Sequence, residues 1–169
     1  MFYHYKIKIY ITNKMKSKFN EVLTFFKKGQ LNEAKKLCIE ILKEDTKNFD
    51  VLYLLAVINF RANNFEESKN LTEKAIDVRP NSFEIHNFFG FVLLNLKKFD
   101  LAIKSWDEAI KLNPNYAEGY NNRGNIFFMM ENLDDALKSY EKAIQLKPNY
   151  PDAYNNRGNA LSKLNKKND

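Results

Sequence analysis

The stretch Asn115–Asn125, NYAEGYNNRGN, returns at Asn149–Asn159 as NYPDAYNNRGN. The offset is 34 residues, and it recurs elsewhere: it links Pro80, Pro114 and Pro148, then Gly90, Gly124 and Gly158, then Ala75, Ala109 and Ala143. Ala102 and Ala136 keep the same distance, and Ala34 precedes Ala102 by twice that offset. A fixed period in this range marks small supersecondary units that stack on one another, because no single unit can bury its apolar face alone.

Within each period the apolar residues fall at helical spacing, in two runs separated by a turn. Leu31, Ala34, Leu37, Cys38 and Ile41 make one such stripe, after a break at Gly29. The sequence therefore predicts helices at about 16–26, 31–43, 49–61, 65–78, 83–96, 99–112, 117–130 and 133–146, with a last one at about 152–164. Helix starts are predicted at Asn81, Asn115 and Asn149, and for second helices at Asn64 and Asn132. Each has an acidic residue three positions on, which suits the positive end of the helix dipole. Pro80, Pro114 and Pro148 fall where a preceding helix must have stopped. The recurring Gly and Ala positions predict close approach of paired helices, with Trp106 and Tyr140 as bulky partners; Cys38 and Thr72 hold the equivalent position in earlier periods.

Composition narrows the function classes. One cysteine, Cys38, excludes an intramolecular disulfide and a multi-cysteine zinc site. His4 and His86 have no ligand spacing, and no phosphate-loop, zinc-protease or nucleophile-elbow motif occurs, so no cofactor or metal is expected. The net charge of +6 lies in residues 1–28, where seven lysines face Glu21 alone; the remainder is balanced. A nucleic-acid partner would want its basic residues on one face of the fold, and none is expected. No apolar run is long enough to span a bilayer, and a membrane role is not expected; the single cysteine fits the cytoplasm.

The pattern closely resembles the tetratricopeptide repeat. The resemblance is carried by Leu52, His86, Tyr120 and Tyr154; by Ala56, Gly90, Gly124 and Gly158; by Ala102 and Ala136; by Trp106 and Tyr140; and by the alanine and proline series above. It implies an all-α fold: a right-handed superhelical solenoid of antiparallel helix pairs. Its expected divisions are a basic leader at 1–14, repeats at about 15–48, 49–82, 83–116 and 117–150, a final helix at 151–164 and a polar tail at 165–169.

The resemblance also implies a concave groove, lined by the first helix of each pair, that holds a peptide or partner protein. The positions flanking the small residue then become the candidate site: Tyr53; Asn87 and Phe91; Asn121, Asn122 and Asn125; Asn155, Asn156 and Asn159. This groove changes from apolar and aromatic to an asparagine track. A primary amide offers two donors and an acceptor, so it pairs with both N–H and C=O of an extended peptide. Asn122 and Asn156 resemble the asparagine ladder of the repeat region of O-GlcNAc transferase. None of these positions holds Lys or Arg, which argues against a clamp for carboxylates.

The chain is accordingly expected to be a non-enzymatic interaction scaffold. The alternative is the substrate-recruiting part of a longer glycosyltransferase. Self-association through the last helix, by way of Leu161 and Leu164, is a third reading.

Overall fold

A computed structural model describes residues 16–168, with side chains to Lys166, so the leader at 1–14 lies outside the described residues. Among these residues there are only helices and turns. Helix α1 covers 16–27. It is followed by α2 (Leu31–Glu44), α3 (Phe49–Arg61), α4 (Phe65–Val78), α5 (Phe83–Asn95), α6 (Phe99–Leu112), α7 (Ala117–Met129), α8 (Leu133–Leu146) and α9 (Pro151–Asn168). They fall in two compact units that divide after Pro80.

The turns inside the pairs share one construction. The last helical turn ends in a left-handed residue, at Gly29, Asn63, Lys97 and Glu131, again 34 residues apart. In each case two backbone N–H groups reach back over the helix end. Lys97 donates to the Leu94 carbonyl and Lys98 to that of Leu93, both at 2.9 Å. Glu131 and Asn132 do the same to Phe128 and Phe127. This doubly bonded ending satisfies carbonyls that the helix leaves open. Of the four residues only glycine adopts the conformation freely, and asparagine tolerates it.

The turns between pairs are built differently. The N–H of Asp45, Arg79, Asn113 and Lys147 closes the preceding helix onto Ile41, Ala75, Ala109 and Ala143. In the last three, the proline that follows cannot continue the helix. The predicted caps at Asn81 and Asn115 are corrected here by one residue: Ser82 and Tyr116 occupy the cap positions. Asn115 instead donates its backbone N–H to the Asn113 side chain at 3.3 Å. The predicted start at Asn149 gives way to Pro151, a residue suited to a first helical turn because its missing N–H is not needed there. Asn64 holds its cap position without a side-chain bond, whereas Asn132 caps α8, accepting from the Asp135 N–H at 3.4 Å. Asn48 caps α3 in the same way.

In the first unit the core gathers Val22, Ala34, Cys38, Ile41, Leu55 and Ala56, all buried. Polar groups inside it are satisfied: Ser68 donates to the Ala56 carbonyl at 2.8 Å, and Thr72 to the Ser68 carbonyl at 2.7 Å. Buried Asn59 donates to the Leu55 carbonyl and accepts from Lys35.

In the second unit, the close approach predicted at the glycines holds for two of three. A methyl group built on Gly90 would sit 2.5 Å from the Trp106 ring, and one on Gly124 would sit 2.6 Å from the Tyr140 ring. Gly158 is the exception: nothing lies within 4 Å of the equivalent point. Helices α5 and α7 each have a following helix packed on them, whereas α9 packs back on α8 and leaves that side open.

Candidate amide ladder on helices α5, α7 and α9

Three helices of the second unit carry the asparagines on matching turns: Asn87 on α5; Asn121, Asn122 and Asn125 on α7; Asn155, Asn156 and Asn159 on α9. The amides bond to one another from helix to helix. Asn122 Nδ2 donates to Asn87 Oδ1 at 3.2 Å. Asn156 Nδ2 donates to Asn121 Oδ1 and to Asn125 Oδ1, each at 3.0 Å. The bonded residues lie 35 or 31 apart, so each amide meets a neighbour of its equivalent position in the preceding repeat.

Two aromatic residues join this network. Trp106 Nε1 donates to Asn87 Oδ1 at 3.0 Å, and the Tyr140 hydroxyl donates to Asn125 Oδ1 at 2.9 Å. Both rings are buried against the glycines described above. Sequence reasoning assigned them to packing alone. The missed signal is that a buried indole N–H or phenol O–H needs a partner. Burial pushes the Tyr140 phenol up to about 12 from its ordinary 10.0, so it stays a neutral donor.

The remaining candidates differ in setting. Asn121 is buried, Asn87, Asn122, Asn125 and Asn156 are half-buried, and Asn155 and Asn159 are exposed. Phe91 is half-buried and meets the Trp106 ring edge-on at 5.4 Å. Tyr53 belongs to the first unit, on α3, with its ring 6.0 Å from that of Phe49. A cleft of about 250 Å³ opens beside the ladder, lined by Asn125, Phe128, Met129, Tyr140, Asn156 and Asn159. Phe128 and Met129 were not anticipated; the 3.6-residue period puts them one turn from Asn125.

Other charged and reactive groups are engaged elsewhere. Arg123 donates to Asp107 at 2.6 Å and lies over the Tyr120 ring, so its charge is met within the chain. Arg157 lies over Tyr154. Cys38 is buried, and that burial pushes its thiol up to about 12, well away from a reactive thiolate. Among the described residues no group of three or more His, Cys, Asp or Glu is placed to hold a metal. No described helix is long and apolar enough to cross a membrane.

A face built from paired helices, small-residue contacts and side chains shared between successive repeats defines a protein-interaction scaffold of the helical-repeat class. A family model described as a TPR repeat matches residues 90–131 and again 124–165, and one described as a tetratricopeptide repeat matches 25–88. The chain belongs to the tetratricopeptide repeat family. Among solved structures, a crystal structure of MamA is 25% identical, with a TM-score of 0.80 over 84% of this chain and 83% of its own. YrrB, described as a TPR protein with an unusual peptide-binding site, is 22% identical, with a TM-score of 0.77 over 94% and 83%. The pilF protein of Pseudomonas aeruginosa is 20% identical, with a TM-score of 0.80 over 92% and 71%. Among curated protein sequences none matches.

Proposed function

We propose that the amide face of α5, α7 and α9 captures an extended peptide segment of a partner protein. The observation that carries this reading is the hydrogen-bonded file of half-buried asparagines beside an open cleft with apolar walls. Amide side chains held in place by the fold lose little freedom on binding, so each hydrogen bond to a ligand retains more of its strength. The cleft at Phe128 and Met129 adds apolar contact for one side chain of the ligand. The likeness to YrrB is consistent with such a role.

The test is the double variant Asn122→Ala with Asn156→Ala. Asn87 keeps its bond from Trp106 and Asn125 keeps that from Tyr140, while buried Asn121 loses its donor from Asn156, so stability is measured beside affinity. Binding of a peptide selected on the wild-type protein is expected to weaken about tenfold or more, at roughly 1 kcal/mol per lost bond. Unchanged affinity, with the helical circular dichroism intact, would remove the reading.

A second reading is self-association through α9. It is favoured by exposed Tyr154 and Leu161 on α9. Sedimentation over a range of concentrations decides it, and a concentration-independent monomer would dispose of it.

A further inference from the structure

The first unit holds a cleft that shares no residue with the asparagine file. It opens between the turn leading into α3 and the last turns of α4. Its volume is about 440 Å³, an ordinary size for a small-molecule site, and it is lined by Thr46, Lys47, Leu52, Lys74, Asp77 and Val78. The floor follows from the repeat phase. Leu52 is buried and stands where later repeats carry His86, Tyr120 and Tyr154. A leucine reaches less far than a ring and carries no polar tip. The chain's own later repeats thus show what shape of group this position takes.

The mouth carries charge that the fold does not use. Lys47, Lys74 and Asp77 are exposed, and among the described residues no ion pair engages any of the three. The salt bridges nearby use other residues: Lys69 pairs with Glu73 at 3.0 Å and Arg79 with Asp50 at 3.5 Å. Two ammonium groups and one carboxylate leave a single positive charge in excess at the mouth. A ligand with one flat apolar ring and one negative charge complements both the floor and the mouth. An exposed ammonium alone holds a carboxylate weakly, so ring and charge have to act together.

We propose that this cleft binds a small aromatic monocarboxylic acid, its ring lying on Leu52 and Val78 and its carboxylate met by Lys47 and Lys74. The site is independent of the peptide-capture reading. It lies in the first unit, whereas the asparagine file lies in the second.

The test titrates phenylacetate into the full chain and follows the backbone amide resonances by NMR. Saturable shifts at Lys47, Leu52, Lys74 and Val78 are expected, with half-saturation at about 1 mM. Acetate lacks the ring and benzyl alcohol lacks the charge; each is expected to bind about tenfold more weakly or worse. Lys74→Gln should weaken phenylacetate binding about threefold. Asp77→Asn removes a like charge from the mouth, at a helix end where an acid gains nothing from the dipole, and should tighten binding about twofold. Leu52→Tyr installs the residue that the later repeats carry as Tyr120 and Tyr154, and is expected to abolish the shifts with the helical circular dichroism intact. No saturable shift below about 10 mM would overturn the proposal. So would a response to acetate as strong as that to phenylacetate, or shifts that persist in Leu52→Tyr. Binding indifferent to both Lys74→Gln and Asp77→Asn would overturn the part given to charge.

Discussion

At the scale of single residues, the left-handed turn positions separate conformational cost from packing. Gly29 has open space around the point where a methyl group would go, yet its φ is +73°. Gly29→Ala is therefore expected to destabilise by about 1 kcal/mol with no clash at all. Lys97 sits at the equivalent φ of 57°. Lys97→Gly relieves a backbone cost of about 1–2 kcal/mol and adds about 0.5–1 kcal/mol of unfolded-state freedom, so a net gain near 0.5 kcal/mol is expected. Urea titration of both variants checks the pair, and a loss of stability in Lys97→Gly would contradict the argument. The small-residue positions divide in the same manner. Gly90→Ala and Gly124→Ala drive a methyl group into an aromatic ring and are expected to cost about 1–3 kcal/mol. Gly158→Ala meets nothing and improves helix propensity, so a gain of about 0.5–1 kcal/mol is expected. One repeat position thus yields opposite signs, readable from three thermal melts.

At the scale of helices, most of the fold was legible because the period multiplies every local signal. Ala34, Ser68, Ala102 and Ala136 are all fully buried, as their shared phase requires. Boundaries were less legible. Asn81 and Asn115 look like caps by composition, but the turns after Pro80 and Pro114 use one more residue than the pattern shows, and Ser82 and Tyr116 take the positions instead. The left-handed turns were visible only at Gly29, because Lys97 and Glu131 carry no sign of the conformation they adopt. The bonds of Trp106 and Tyr140 were hidden for another reason: reach depends on side-chain length across the gap between helices, which spacing along the chain does not encode.

Helix ends also carry a charge pairing that sequence reasoning assigned to the dipole alone. Glu118 at the start of α7 accepts from Lys147 at the end of α8 at 2.6 Å. That hydrogen bond is the main reason the Glu118 carboxyl lies below the usual carboxylate range, and it raises Lys147 in turn. A lowered carboxylate stabilises the fold above its ordinary value of 4.5, and the gain is lost as pH falls through its folded value. Glu118→Gln is expected to lose a small amount of stability at neutral pH. The difference from wild type should close in acid and in about 1 M salt, because the pair is exposed and screened. A difference that persists in high salt would point to packing instead of charge.

At the scale of the whole molecule, Cys38 and Tyr140 are the fully buried weak acids among the described residues, one in each compact unit, with half-buried Tyr150 also raised, and the first two act as separate reporters on the same titration. Cys38 lies in the first unit and Tyr140 in the second. Burial raises the thiol from 9.0 to about 12 and the phenol from 10.0 to about 12. Between those limits the folded chain keeps protons that the unfolded chain releases, so stability is present in full below the ordinary values and falls as pH rises through the folded ones. The urea midpoint is expected to fall steadily from about pH 9 to about pH 12. Cys38→Ser places a hydroxyl where Thr72 stands in the next repeat; there the Thr72 hydroxyl bonds back to the Ser68 carbonyl, so the substitution has a native precedent. It should remove the part of the slope that begins near pH 9, and Tyr140→Phe the part that begins near pH 10. If the units unfold together, each substitution flattens the single transition. If they unfold apart, each flattens one of two transitions and leaves the other as it was. A slope untouched by both substitutions would show that other alkaline groups govern the loss.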